Sequence, residues 1–276
     1  MNTVLDMSPA ALRLRAGREN FPVALKGLPR RLRRDLLALY GVARWIDELG
    51  DAAPGDRLTH LDAASDQIRS MCRGVTTVAC LREAVPVVRA HAIPAEVFLR
   101  LLEANRRDQL VRRYETYAQL QRYCALSANP VGELVLRLFG KAGPGLLGMS
   151  DAICTALQLV EHLQDVGEDH AAGRVYLPRE DMRRFGCPDV DLAATRTSPA
   201  LRRLVHFETL RAEVLFDRGA PLVRVLDGWA RIAVAGFLAG GRATTAALRA
   251  SNFDVLGRQV RPARHRVAAE FVRALV

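Results

Sequence analysis

Two acidic clusters hold the residues best suited to chemistry in this chain. Asp47 and Asp51 are four residues apart, and Glu161, Asp165 and Asp169 repeat that spacing far downstream. On a helix, a four-residue step places side chains on one face a turn apart, so each cluster aligns its carboxylates. Glu48 and Glu168 lie alongside. Like charges at this spacing cost a helix about 0.2–0.5 kcal/mol per pair, and a hard cation reverses the sign. Mg²⁺ takes one or two carboxylates and completes its shell with water and phosphate oxygens. A single such pair is ordinarily a solvated helix edge, but these clusters have cationic neighbours. Tyr40 and Arg44 precede the first on roughly the same face, and the segment GRVYLP, with Arg174, follows the second. A guanidinium binds phosphate oxygens bidentately, so metal on one side and arginine on the other suits a diphosphate. His162 and His170 flank the second cluster but are not read as ligands. Mg²⁺ prefers oxygen to imidazole, and a residue one step past Glu161 points off the carboxylate face. Neither a P-loop nor a G-x-G-x-x-G fingerprint is present.

The elements that must position these side chains read as helices throughout. From Pro29, residues Leu32, Leu36, Leu39, Tyr40, Ala43 and Ile46 recur at three- and four-residue steps, and Pro54-Gly55 ends the pattern. Further helices are expected at about 56–74, 76–90, 95–112, 116–127, 130–140 and 144–170, the last largely buried. An irregular segment is expected over about 171–198. Helical regions at about 199–238 and 243–273 follow, broken near Gly219 and Pro221, near Gly240 and Gly241, and near Pro262. There is no strand alternation, internal repeat or linker, and one all-α domain is the economical reading.

Composition narrows the class. The chain has 276 residues, half of them apolar and a quarter charged, which excludes disorder and leaves ample material for a core. Lys plus Arg number 40 against 30 acids; Lys26 and Lys141 are the lysines, so 38 of the cations are arginines. Such an excess could meet nucleic acid, a membrane surface or a polyanionic substrate, or reflect codon bias. Cys72, Cys80, Cys124, Cys154 and Cys187 are scattered, with no C-x-x-C pair, so neither a disulfide framework nor a zinc site is indicated. The apolar run between Arg231 and Arg242 is about half of the ~20 residues a membrane-spanning helix needs, and reads as a core helix. No secretory signal pattern opens the chain, so a cytoplasmic location is expected.

The motifs resemble those of the squalene and phytoene synthases, the head-to-head isoprenyl diphosphate synthases. The resemblance covers nearly the whole chain. It rests on YGVARWIDELGD at 40–51, on QLVEHLQDVGED at 158–169 continuing to GRVYLP at 173–178, and on RYET at 113–116 with YCALSANPVG at 123–132. ENFPVA at 19–24 and ANPVG at 128–132 are similar to the hydroxysqualene synthase branch of bacterial hopanoid biosynthesis.

This resemblance implies an all-α isoprenoid synthase fold, a single helical-bundle domain over 1–276 around a central cavity, with the acidic motifs facing each other across its mouth. By residue, it implies Asp47, Asp51, Glu161, Asp165 and Asp169 as Mg²⁺ ligands, with Mn²⁺ the alternative ion. The four aspartates and Tyr123 would be catalytic. Arg44, Tyr40, Arg174, Gln158, Asn20 and Phe21 would contact substrate. Many relatives carry Asn where Glu161 stands, which leaves open the number of metals at the second motif. The implied reaction converts presqualene diphosphate to hydroxysqualene, without NADPH. Its same-fold alternative condenses two prenyl diphosphates to presqualene diphosphate, squalene or phytoene. Implied partners are the diphosphate substrate, a synthase and a dehydrogenase of the same pathway, and an anionic inner membrane face met by the Arg30, Arg31, Arg33 and Arg34 cluster. An arginine-rich nucleic-acid binder is the reading of a different class. It leaves both acidic clusters unexplained, and no nucleic-acid partner is expected.

Overall fold

A computed structural model describes residues 28–276. Among these residues the regular elements are helices, joined by one isolated bridge between Arg113 and Val175. The chain divides into two compact units, residues 28–110 with 130–147, and residues 111–129 with 148–276.

The first unit begins with α1 (Arg30–Asp51), which buries Leu36, Leu39 and Ile46 of the expected stripe together with Val42 and Leu49, while Leu32, Tyr40 and Ala43 are half-buried. It packs on α2 (Arg57–Arg73), α3 (Ala79–Ala90) and α4 (Ala95–Leu110). The shared core includes Ile46, Leu61, Ile68, Met71, Leu81, Phe98 and Leu102, all nearly inaccessible to solvent. Burying each such side chain contributes roughly 1.5–3 kcal/mol before chain entropy is charged against it. Asp56 caps α2 by accepting from Leu58 N at 3.1 Å, and Gly74 ends that helix in the left-handed conformation, φ 91°.

The second unit holds α5 (Tyr117–Ser127) and the greater part of α7 (Pro144–Gln164), which follows α6 (Asn129–Leu138) in the chain. Next come α8 (Val166–Ala171), α9 (Arg179–Phe185), α10 (Asp189–Leu192), α11 (Pro199–Gly219), α12 (Pro221–Val225), α13 (Gly228–Ala250) and α14 (Arg264–Leu275). Within it α11 packs on α9 and α13, and α14 packs along α13. Thr116 and Ser198 cap α5 and α11 through their hydroxyls.

Three expected boundaries are corrected. The helix anticipated over 144–170 is interrupted at Asp165, φ −105° and ψ 15°, which separates α7 from α8. The stretch 171–198 contains α9 and α10 where an irregular segment was expected; both open on an acidic first turn, and at seven and four residues they are too brief to show periodicity. No break occurs at Gly240 and Gly241, which lie inside α13. A Cβ on Gly241 would stand 2.2 Å from Phe216 Cζ and 2.9 Å from Leu157 Cδ2, so this glycine permits close packing of helices and does not end one. The apolar run before Arg242 is the buried face of α13, and no helix among the described residues is long and apolar enough to cross a membrane.

Candidate active site

In the first unit the acidic cluster occupies the last turns of α1. Arg44 reaches Glu48 Oε1 at 3.3 Å and lies 4.0 Å from Asp47 Oδ2, one helical turn in each case. Asp47 has a second partner that its sequence neighbourhood does not disclose: Asn105 of α4 donates from Nδ2 to Asp47 Oδ1 at 3.3 Å. The same amide group donates to Leu101 O at 3.1 Å, and Gln109 Nε2 donates to Gly50 O at 3.0 Å. Gly50 makes this approach possible, since a Cβ there would lie 2.2 Å from Asn105 Oδ1. Asp51 is exposed at the end of the helix, and Tyr40 is half-buried on it. Arg44 Nε is buried with no hydrogen-bond partner among the described residues, a donor still to be satisfied.

In the second unit α7 carries Gln158, Glu161 and His162, and the interruption at Asp165 turns the chain into α8 with Asp169. Asp165 is pushed up to about 6, chiefly by burial and then by the neighbouring Glu168 and Asp169 carboxylates, against the opposing pull of His162 and Arg261. Arg174 N donates to Asp169 O at 2.8 Å, which ties the GRVYLP segment to the acidic helix. That segment runs beside residues 112–115: Val175 N donates to Arg112 O and Arg179 N to Tyr114 O, both at 2.9 Å. The pairing makes Tyr114 and Tyr176 neighbours, with ring centroids 5.9 Å apart. Tyr123, on α5, lies 5.4 Å from each of those rings, and all three are buried. Tyr123 is thus part of a buried aromatic wall, and its ring lies 6.2 Å from that of His162. Asn129 of the ANPVG motif accepts from Thr155 Oγ1 at 3.0 Å, anchoring the motif to α7.

Sequence reasoning put His162 off the carboxylate face, and the structure corrects this. Its Nδ1 is 3.7 Å from Asp169 Oδ2, which lies on the far side of the break at Asp165. Gln158 Nε2 lies 3.2 Å from His162 Nε2, so this amide contacts the imidazole. Glu161 is half-buried on the same helix. Asn20 and Phe21 lie outside the described residues. Asn105 and Tyr176 were not anticipated as site residues. Asn105 had a signal: Phe98, Leu102, Asn105 and Gln109 form one stripe on α4, and a polar residue on an apolar stripe calls for a partner.

Much of the arginine excess is engaged elsewhere. Arg31 and Arg34 pair with the buried Asp35 at 3.9 and 3.4 Å, Arg113 grips Asp189 with two bonds of 2.7 and 2.6 Å, and Arg242 meets Asp217 at 2.7 Å.

The donors available to a metal are carboxylate oxygens. Among the described residues no three His, Cys, Asp or Glu side chains gather around a common point. Each cluster therefore offers a cation one or two carboxylates and leaves its other positions to ligand and water. That fits Mg²⁺ held jointly with a phosphate group and does not fit zinc.

The squalene/phytoene synthase family model matches residues 14–266. A hydroxysqualene synthase from Zymomonas mobilis is 35% identical over 208 residues, 73% of this chain and 69% of that protein. Another from Rhodopseudomonas palustris is 36% identical over 224 residues, 77% and 74% of the two chains. The crystal structure of squalene synthase HpnC from Alicyclobacillus acidocaldarius superposes with a TM-score of 0.78 at 35% identity, covering 91% of this chain and 99% of that one. With its all-α isoprenoid synthase fold, its acidic helical motifs and a match to the family model over nearly its whole length, the chain belongs to the squalene/phytoene synthase family of isoprenoid synthases.

Proposed function

We propose that this enzyme acts as a single synthase domain that, with Mg²⁺, converts presqualene diphosphate to hydroxysqualene. The observation that carries the reading lies in the second unit, where His162 stacks on Tyr176 of the buried wall of Tyr114, Tyr123 and Tyr176 and lies 3.7 Å from the Asp169 carboxylate. A reaction that expels diphosphate and leaves a carbocation needs both, a place for metal-bound anion and a water-poor surface rich in π-electrons. The hydroxysqualene synthases among its relatives support the choice of product.

Bound Mg²⁺ supplies positive charge to the departing diphosphate. Asp47, Asp51, Asp165 and Asp169, with Glu161, are the residues assigned to hold it. Arg44, whose buried Nε has no partner among the described residues, is assigned to the diphosphate oxygens, and Tyr40, Gln158, Arg174, Asn20 and Phe21 to substrate contact. The C–O bond breaks with its electron pair leaving on diphosphate, and the cyclopropylcarbinyl cation opens its ring. Water adds to the resulting cation, and the proton released leaves with the diphosphate. Tyr123 is assigned to face the cation and to orient that water.

The family's name covers condensing enzymes, and condensation of two farnesyl or geranylgeranyl diphosphates is the second reading. Incubation of the purified protein and Mg²⁺ with presqualene diphosphate, and separately with farnesyl diphosphate, separates the two by product analysis. Hydroxysqualene from presqualene diphosphate is expected; product from farnesyl diphosphate alone would overturn the assignment. The lipid substrate also points to peripheral contact with an anionic membrane through the exposed Arg30, Arg31 and Arg34, which flotation with anionic and neutral vesicles tests.

A further inference from the structure

His162 is a buried polar ring to which the proposed reaction gives no task. Its ring lies flat on Tyr176, centroids 3.8 Å apart and planes 10° apart, and 6.2 Å from Tyr123. Packing alone would be served by an apolar side chain. An imidazole in such a place costs desolvation free energy unless both nitrogens are used. Both face a polar neighbour here, Nε2 the Gln158 amide at 3.2 Å and Nδ1 the Asp169 carboxylate at 3.7 Å, longer than a hydrogen bond.

The two contacts together select a tautomer. Next to a carboxylate, the favourable form carries its proton on Nδ1, which leaves Nε2 as the acceptor. Gln158 then donates from its amide NH₂, in agreement with the placement of Nε2 of Gln158 toward the ring. Tyr176 sets the plane of the ring, Gln158 its proton, and Asp169 faces the resulting N–H.

We infer that His162 is a positioning residue, which orients the Asp169 carboxylate for metal through Nδ1–H and is itself held by Gln158 and Tyr176. The inference rests on the reading of Asp169 as a metal ligand. Partners one step removed from a metal ordinarily change its affinity 10–100-fold when lost. His162 thereby connects the tyrosine wall to the acidic helix, so the packing of one sets the geometry of the other.

The test compares His162→Phe, which keeps a stacking ring and removes the N–H, with His162→Asn, whose amide can replace Nδ1–H. Mn²⁺ binding in the presence of inorganic diphosphate is followed by electron paramagnetic resonance, with melting temperature measured on the same samples. His162→Phe is expected to weaken Mn²⁺ binding about tenfold and His162→Asn by less than about threefold, whichever of the two melts lower. Equal binding by wild type and His162→Phe overturns the inference. So does a loss in both variants that follows their melting temperatures, because that is packing. Should His162→Phe fail to fold, Gln158→Met serves, since it leaves the ring and frees its tautomer; weaker Mn²⁺ binding is expected, and unchanged binding overturns the inference. Asp165→Asn and Asp169→Asn form the control arm. If neither alters Mn²⁺ binding, the metal reading itself fails and takes the role of His162 with it; if they do while His162→Phe does not, only the role of His162 fails.

Discussion

The most demanding prediction concerns Glu208, a buried acid on α11 remote in sequence from both motifs. Arg211 donates from Nη1 to Glu208 Oε1 at 2.8 Å and to Asp181 Oδ2 at 2.5 Å, so one guanidinium serves two carboxyls. Both acids are almost inaccessible to water, and Arg211 is fixed over the rings of Tyr117 and Phe207 at 4.1 and 4.4 Å. One positive charge balances one negative charge, and Glu208 is the acid that keeps its proton. Burial, aided by the Asp181 charge, pushes it up from 4.5 to about 8 against the pull of Arg211. Because the folded value is raised, its stabilising contribution is complete below about 4.5 and is lost as pH rises toward about 8. At about 1.4 kcal/mol per pH unit, the loss between pH 5.5 and 8 comes to roughly 3 kcal/mol. Glu208→Gln preserves the shape and the neutral state. Chemical denaturation of both proteins from pH 5.5 to 8.5 should show the variant gaining on the wild type by roughly 3 kcal/mol, with the gain flattening above pH 8. A difference that stays constant across this range, or falls with pH, would refute the argument that Glu208 is held neutral by its surroundings.

Asp47→Asn and Asp165→Asn should each abolish turnover without loss of fold. For Asp165 the melting temperature at pH 8 should hold or rise, since the substitution removes a charge that burial disfavours; retained activity in both variants would defeat the metal assignment. Gly241→Ala should destabilise, because overpacking against the fully buried Phe216 ring costs about 1–3 kcal/mol while helix propensity returns at most ~1 kcal/mol; calorimetry should find a fall of a few degrees. Gly50→Ala would put a Cβ 2.2 Å from Asn105 Oδ1, 3.0 Å from its Cγ and 3.2 Å from its Cβ, so the Asn105 side chain must shift and the melting temperature should fall modestly. It displaces the amide that holds Asp47, and the Mg²⁺ concentration for half-maximal turnover should rise several-fold.

The parts of the fold that depend on periodicity were legible in the chain. The buried stripe of α1, the stop at Pro54-Gly55 and the all-α character follow from spacing and punctuation alone. What spacing could not show was tertiary. Gly240 and Gly241 look like a break until Phe216 and Leu157 are seen to occupy the space a side chain would need. The interruption at Asp165 has no glycine or proline at that position to announce it, and the 3.7 Å contact of Asp169 with His162 spans it. The carboxylates proposed as ligands stand out by their four-residue spacing, while their partners come from other helices or from beyond a bend.

Those partners share a chemistry that follows from the task. A carboxylate meant for a cation needs to be oriented without being neutralised, and a full salt bridge does both at once. In the first unit the closest contact of Arg44 is to Glu48, while Asp47 receives the neutral amide of Asn105 at 3.3 Å with the guanidinium farther off at 4.0 Å. In the second, Asp169 faces the His162 imidazole at 3.7 Å, and the neutral amide of Gln158 lies against the ring's other nitrogen. Amide and imidazole dipoles restrain the rotamer and leave the formal charge in place, so the repulsion within each cluster is kept for the metal to relieve. Substituting Asn105 by Asp or Gln158 by Glu would add charge to clusters that already repel. Substituting either by Lys would satisfy the carboxylate and compete with the cation. The identities of Asn105 and Gln158 are therefore constrained by the metal-binding chemistry proposed for residues that neither of them replaces.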